Sequence, residues 1–241
     1  MILELDRISK RFRGVNAVKE VSFSVPEGAI FGLMGANGAG KTTIFSMIAG
    51  NEQPSSGAIR FQGSPIQGLR PWRISRLGIA RTFQIVRPFP ALTSRENVAL
   101  AVLYGAGQER SSTRATEVAD QILEEVGLKS FADREARHLT LAGRKRLEIA
   151  RALGAHPKLL LLDEVLAGLT PTEVEAAVDL LQHVHQRYRL TIVMVEHVLR
   201  ALMQLCTTIV VVHHGEKIAE GSPQAVSADP LVMTAYLGHP K

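Results

Sequence analysis

Apolar and charged residues alternate at the start of the chain, and short apolar runs recur further along it. Alternation with a period of two is typical of a half-buried strand, and a short apolar run bounded by turn residues is typical of a buried one. These patterns predict strands at 2–8, 21–25, 29–34, 58–62, 79–83, 159–162, 191–195 and 208–212. Helices are expected to fill the intervals between the strands.

Helical periodicity is clearest in the middle of the chain. Apolar residues recur there every three to four positions, over about 94–156. Ser94 and Ser111 stand where N-caps of helices in this block are expected. Further helices are predicted at 41–49 and 230–237.

Strands that alternate with helices indicate an α/β fold with a mostly parallel sheet and right-handed crossovers. The helical block interrupts that order, which indicates a subdomain inserted into a sheet domain. We therefore divide the single domain, 1–241, into a core of 1–84 and 158–241 and a helical subdomain of 85–157.

Composition excludes several classes of protein. The longest aliphatic run, 159–162, is far shorter than the roughly 18 residues of a membrane-spanning helix, and no secretory signal is recognisable, so a soluble protein is expected. The net charge is +5, but the basic residues are dispersed along the chain, and aromatic residues make up only 5% of it. No nucleic-acid partner is therefore expected. The single cysteine, Cys206, lies in an apolar stretch and is expected to be buried and unreactive.

A glycine-rich segment connects the predicted strand 29–34 to the predicted helix 41–49. Its pattern, Gly-x-x-x-x-Gly-Lys-Thr at 35–42, is that of a phosphate-binding loop. Glycines let successive N–H groups point inward, and the helix N-terminus adds partial positive charge. Lys41 would contact the β- and γ-phosphates of ATP, and the Thr42 hydroxyl would contact Mg²⁺. The predicted nucleotide-binding residues of the loop are Gly35, Ala36, Asn37, Gly38, Ala39, Gly40, Lys41, Thr42 and Thr43.

Two acidic residues end the apolar run 159–162. A buried strand would deliver Asp163 to the carboxyl edge of the sheet, where α/β folds bind ligands. Asp163 is expected to hold Mg²⁺, and Glu164 to polarise a water that attacks the γ-phosphate. The two motifs together predict binding and hydrolysis of ATP.

Two further segments extend the pattern. Gln84 follows 78–83 at the entry to the helical block, and 139–153 ends just before the Asp163 strand. With both nucleotide motifs, this order resembles the ATPase subunit of ABC transporters over essentially the whole chain. The resemblance implies a P-loop NTPase core of RecA-like type, with a mostly parallel sheet, an N-terminal antiparallel β portion and an inserted helical subdomain.

The resemblance also implies roles for residues outside the two motifs. Gln84 would contact Mg²⁺ and water and communicate with the membrane subunit, and His197 would contact the γ-phosphate. Phe12 would stack on adenine, with Val18 packed nearby.

The segment at 139–143 departs from the usual Leu-Ser-Gly-Gly-Gln of the family, which caps the γ-phosphate of ATP bound by a second subunit. Thr140 keeps a hydroxyl and Ala142 keeps a backbone N–H, so both are expected to contact that ATP, whereas Gly143 lacks the glutamine side chain. Val165 replaces a usual proline, and Thr170 stands where aspartate or asparagine is usual.

The segments 78–84, 86–97 and 235–238 are similar to those of ATPases of branched-chain amino acid importers, which implies that the chain energises import of branched-chain amino acids or similar small polar solutes. An ATPase that powers lipopolysaccharide export shares the Tyr-Leu-Gly ending. The resemblance implies ATP and Mg²⁺ as cofactors, membrane permease subunits as partners, and a second ATPase subunit, identical or paralogous. It also implies a cytoplasmic location, peripheral on the inner face of the membrane.

Two other classes stay open at this point. A soluble ABC-type ATPase of DNA repair or translation usually has paired cassettes or a long coiled-coil insertion, and this chain has one cassette and a short helical block. A small-molecule kinase could use the same loop, but it would not need Gln84, His197 or 139–153.

Overall fold

The computed structural model describes residues 1–82, 88–107, 109–196 and 198–237, which form ten strands and nine α-helices. The strands are β1 (Leu3–Phe12), β2 (Val15–Val25), β3 (Ile30–Met34), β4 (Ser56–Phe61), β5 (Ser64–Pro65), β6 (Ile79–Arg81), β7 (Leu159–Asp163), β8 (Thr191–Val195), β9 (Thr208–His213) and β10 (Glu216–Gly221). The helices are α1 (Lys41–Ile48), α2 (Pro71–Leu77), α3 (Ser94–Tyr104), α4 (Ser112–Glu125), α5 (Leu141–Gly154), α6 (Pro171–Tyr188), α7 (Leu199–Leu205), α8 (Pro223–Ser227) and α9 (Pro230–Leu237).

One compact unit combines the two ends of the chain, Met1–Pro71 and Thr191–Lys241. Its antiparallel sheet has the strand order β2-β1-β4-β5, which agrees with the antiparallel β portion expected near the N-terminus. Its second set of strands has the order β10-β9-β3-β8, in which β3 runs parallel to both β8 and β9 while β10 is antiparallel to β9.

The central strands of this unit are buried. Every residue of β3 and of β8 is buried, which explains why both read as continuous apolar runs rather than as alternating strands. Gly32 lies where a Cβ would come within 3.0 Å of Ile209 and 3.3 Å of Leu202, so the missing side chain lets α7 pack closely on β3.

The other compact unit, Trp72–Leu190, contains β6 paired in parallel with β7 and the helices α3 to α6. The helical pattern expected over 94–156 proves to be three α-helices, with 3₁₀ turns at Lys129–Phe131 and Ala136–His138 before the third. The α/β class is confirmed, while the division into 1–84, 85–157 and 158–241 differs from these units and stays a prediction.

Some local predictions need correction. The N-cap of α3 is Thr93 rather than Ser94, because the Thr93 hydroxyl accepts from Glu96 N–H and the Glu96 carboxylate accepts from Thr93 N–H. Ser111 caps α4 as expected. Strand β10 was not predicted from the sequence, since its residues are half-buried or exposed and do not form an apolar run.

Two composition-based expectations can be checked directly. Cys206 is buried, and desolvation raises the pKa of its thiol to about 12, so it is inert at neutral pH. None of the helices in the described parts of the chain is long and apolar enough to cross a membrane.

Candidate functional site

The phosphate-binding loop lies between β3, which ends at Met34, and α1, which begins at Lys41. The N-cap of α1 is Gly40, in left-handed conformation at φ +106°, and no side chain caps this helix. Five other described helices have N-caps whose side chains accept from backbone N–H groups, namely Thr93, Ser111, Thr140, Thr170 and Ser222. At α1, an anion can therefore take the place that a side-chain oxygen takes elsewhere.

Two glycines of the loop are required by close backbone packing. A Cβ on Gly35 would lie 2.4 Å from the Val212 carbonyl oxygen, and one on Gly40 would lie 2.5 Å from the Ala17 carbonyl oxygen. Gly215 N–H also donates to the Ala39 carbonyl at 3.1 Å. The loop is thus held by β2, β9 and the turn after β9, which gives it one preformed shape.

Lys41 is buried, and its charge lies inside the loop. Its Nζ donates to the carbonyl oxygens of Gly35 at 2.7 Å and Ala36 at 2.9 Å. Residues 36–38 of the loop are exposed, and Thr42, in the first turn of α1, is also exposed. A full positive charge and uncapped N–H groups are thereby collected at an accessible place, which suits a polyphosphate.

The two residues predicted to hold adenine differ sharply in exposure. Phe12, at the end of β1, is 41% exposed, and Lys10 Nζ lies 4.9 Å from the centroid of its ring. Val18 is 1% exposed, and its Cγ2 lies 3.3 Å from where a Cβ on Gly40 would be. Phe12 can offer a ring face to a base, whereas Val18 supports the loop by packing.

Asp163 ends β7 with its side chain almost completely buried. Arg81 Nη2 donates to Asp163 Oδ2 at 2.8 Å, and Asp163 N–H donates to Thr82 Oγ1 at 3.1 Å. Asp163 Oδ1 is buried without a hydrogen-bond partner among the described residues. A buried carboxylate oxygen with unused capacity is a fitting ligand for Mg²⁺, which prefers oxygen donors.

Glu164 follows in an unusual backbone conformation, with φ at +51°. Such a conformation costs a non-glycine residue about 1–2 kcal/mol and is common at functional sites. Its carbonyl accepts from Ala167 N–H at 3.2 Å and from the buried Lys145 Nζ at 3.1 Å. Lys145 therefore fixes the backbone of the residue expected to activate water.

The segment at 139–143 forms the start of α5. Thr140 is its N-cap, and the hydroxyl oxygen accepts from Gly143 N–H at 3.1 Å. The hydroxyl proton is still available to donate, because only the oxygen is engaged. Ala142 is half-buried in the first turn, where backbone N–H groups lack partners within the helix.

Thr170 has a structural role that its position in the sequence motif did not reveal. It is the N-cap of α6 in a reciprocal capping box, in which Thr170 N–H donates to Glu173 Oε2 at 2.8 Å. These hydrogen bonds lower the pKa of Glu173. Thr170 thus orders the start of α6.

Sequence reasoning missed Arg81, Thr82 and Lys145, all of which hold backbone or side-chain atoms of Asp163 and Glu164. Arg81 and Thr82 lie in the predicted strand 79–83, but the sequence does not show which strand pairs with the Asp163 strand or in what register, so no signal pointed to them. Gln84 and His197 lie outside the described residues, and their roles stay predictions.

Comparison with known proteins decides the family. The model of the family "ABC transporter" matches residues 18–167, and that of "Branched-chain amino acid ATP-binding cassette transporter" matches 216–241. The chain belongs to the ABC transporter ATPase family. The sequence-based identification of an ABC ATPase, and of ATP hydrolysis as its activity, is confirmed.

Relatives within the ABC family match the chain over nearly its full length. It is 39% identical to the high-affinity branched-chain amino acid transport ATP-binding protein BraF of Pseudomonas aeruginosa, covering 98% of each chain. It is 34% identical to the high-affinity branched-chain amino acid transport ATP-binding protein LivG of Escherichia coli K12, again over 98% of each chain. It is 33% identical to the lipopolysaccharide export system ATP-binding protein LptB of Acidithiobacillus ferridurans, over 98% of this chain and 97% of that one.

Solved ABC cassettes share the fold. A nucleotide-free ATP-binding cassette from an ABC transporter is 29% identical, with a TM-score of 0.86 over 99% of each chain. The ADP conformation of the cassette MJ1267 is 28% identical, with the same TM-score and the same coverage.

Proposed function

We propose that this chain is the ATP-hydrolysing subunit of an ABC importer for branched-chain amino acids. The observation that carries the proposal is its similarity to BraF and LivG over 98% of each chain. The match of the C-terminal segment 216–241 to the branched-chain amino acid cassette family supports it independently, because that segment lies outside the general ABC match at 18–167.

In this proposal the loop 35–43 binds the phosphates of ATP, with Lys41 at the β- and γ-phosphates and Phe12 stacked on adenine. Mg²⁺ would be held by Thr42, Gln84 and Asp163, and it supplies positive charge that stabilises the transferring phosphoryl group. Asp163 fits this role because its Oδ1 is buried and without a partner among the described residues.

Glu164 is the proposed general base. It accepts a proton from the attacking water, and its strained backbone, held by Lys145, keeps it in one place. His197 is proposed to contact the γ-phosphate, and Gln84 to orient water and respond to the membrane subunit.

A second ATPase subunit, identical or paralogous, completes each site in the proposal. Two subunits would close head to tail, so that Thr140 and the Ala142 N–H of one subunit contact the γ-phosphate of ATP bound by the other. The proton of the Thr140 hydroxyl and the N-terminus of α5 support this role, since both favour an anion. Permease subunits would hold the pair at the inner face of the membrane.

Reconstitution tests the transport assignment. The chain should co-purify with the permease subunits of a branched-chain amino acid importer, and liposomes containing that complex should accumulate leucine only with ATP and a substrate-binding protein. Failure to associate with any membrane subunit would contradict the assignment and favour a non-transport ABC ATPase.

Lipopolysaccharide export is the second candidate, because the similarity to LptB also spans nearly the whole chain. It predicts that leucine leaves the ATPase rate of the reconstituted complex unchanged and that a lipopolysaccharide stimulates it. Import predicts the reverse dependence, so a single ATPase assay with the two ligands separates the candidates.

A further inference from the structure

We propose that Arg81 is a positioning residue for the magnesium-binding carboxylate of Asp163. It binds one carboxylate oxygen, Oδ2, and so leaves the other, Oδ1, oriented for the cation. The inference rests on the proposed binding of Mg²⁺ and ATP, and it adds a residue that the two nucleotide motifs do not contain.

The backbone brings the two side chains together. β6 and β7 are parallel and paired in register, with Ala80 opposite Leu160 and Arg81 opposite Leu161. Thr82 continues the pairing, because its N–H donates to the Leu161 carbonyl at 2.9 Å and its hydroxyl accepts from Asp163 N–H at 3.1 Å. Hydrogen bonds therefore join the end of β6 and Thr82 to the end of β7 as far as Asp163.

The side chains form an ion pair that is shielded from water. Arg81 Nη2 and Asp163 Oδ2 are 2.8 Å apart, and the two side chains are only 9% and 1% exposed. Burying a carboxylate alone is strongly unfavourable, and the guanidinium offsets part of the cost of burying the Asp163 side chain. The pair is asymmetric, because Asp163 Oδ1 has no hydrogen-bond partner among the described residues.

This asymmetry is what a cation site needs. A guanidinium that bound both oxygens in a fork would compete with the metal for the carboxylate. Arg81 instead fixes the carboxylate by one oxygen, and a hydrogen-bonded ligand keeps its orientation when the metal arrives. Arginine suits the role better than lysine, since its planar group is always charged and directional.

The test measures metal binding apart from catalysis. Mn²⁺ serves as a paramagnetic probe of the Mg²⁺ site, and its affinity is measured by electron paramagnetic resonance with the full chain saturated by a non-hydrolysable ATP analogue. Affinity for the same analogue is measured separately in EDTA. Arg81→Gln should weaken Mn²⁺ binding by about tenfold, as is typical when a partner of a metal ligand is removed, while affinity for the analogue in EDTA stays at the wild-type value.

Two further variants complete the design. Arg95→Gln is the matched control, because Arg95 pairs with Asp120 elsewhere in the same unit and should leave Mn²⁺ affinity unchanged. Arg81→Lys keeps the positive charge but loses the planar group, so its Mn²⁺ affinity should also fall below that of the wild type. If Arg81→Gln does not fold, the Mn²⁺ affinity of Arg81→Lys tests the inference in its place.

Wild-type Mn²⁺ affinity in the folded Arg81 variants would overturn the inference, and so would an equal loss of analogue binding in EDTA, which would indicate a general structural role. If the wild-type chain itself binds no ATP analogue, the proposed function fails instead, so the two failures are distinguishable.

Discussion

At the scale of single residues, the site depends on unusual backbone conformations and on positions where a side chain would clash with the backbone. Gly40 combines a left-handed backbone with a carbonyl oxygen 2.5 Å from where its Cβ would be. Glu164 has a left-handed backbone conformation although it is not a glycine, and Lys145 Nζ donates a hydrogen bond to its carbonyl oxygen. The chemistry of the site is therefore carried by backbone geometry as much as by side chains.

Gly40→Ala should destabilise the chain and abolish ATP binding. The conformational penalty for alanine is about 1–2 kcal/mol at a positive φ, and the clash with the Ala17 carbonyl adds to it. Gly63→Ala is the matched control, because Gly63 has φ +76° but a Cβ there would meet nothing within 4 Å. Chemical denaturation measures both, and equal losses of unfolding free energy would contradict the steric argument.

Cys206 should resist thiol reagents in the folded chain. Burial raises its pKa to about 12, so the thiolate is scarce at any pH below that value. Iodoacetamide at pH 8 should label the denatured chain quickly and the native chain only at the rate of unfolding. Rapid labelling of the native chain would show that the thiol is accessible.

At the scale of elements, the sequence predicted those that are apolar and missed those that are not. The strand–loop–helix unit around 35–42 and the buried strands β7 and β8 follow directly from their composition. β10 has no apolar run, and the cap of α3 was assigned one residue late although Thr93 and Glu96 form a recognisable capping box. Arg81 was missed because an ion pair between strands depends on register, which one sequence does not show.

The capping box of α6 should make stability depend on pH. The N–H and hydroxyl of Thr170 lower the pKa of Glu173 below its ordinary 4.5. Because the folded pKa is the lower one, this contribution is present above about pH 4.5 and is lost as pH falls through the lowered value. Thr170→Ala keeps the backbone N–H but loses the hydroxyl bond to the Glu173 carboxylate, so it should destabilise the chain most at pH 7. Near pH 3 the loss should be smaller but not zero, because the hydroxyl also caps the Glu173 N–H at every pH.

Thermal unfolding of the wild type and Thr170→Ala across this pH range checks the prediction. Glu175→Gln, in the same helix but outside the capping box, serves as the comparison. A difference between wild type and Thr170→Ala that is equal at both pH values would contradict the account.

At the scale of the whole molecule, the family and the ATPase activity were recognisable from motif order alone, because phosphate binding demands a fixed arrangement of glycines, lysine and acids. In the proposed function other subunits bind the transported molecule, so only full-length similarity to BraF and LivG informs that assignment. The proposed contact of Thr140 and Ala142 with ATP bound by a second subunit likewise depends on an assembly of two chains.

The most direct test of the central claim is the behaviour of Glu164→Gln. The oligomeric state, by size-exclusion chromatography, and the rate of ATP hydrolysis are both measured in the presence of Mg²⁺ and ATP. The control is Glu117→Gln, because Glu117 belongs to an exposed ion pair on the surface. The account predicts that Glu164→Gln keeps ATP binding, loses hydrolysis and accumulates as a closed dimer, while the control turns over normally. Wild-type turnover by Glu164→Gln would contradict the role of Glu164 and with it the proposed mechanism.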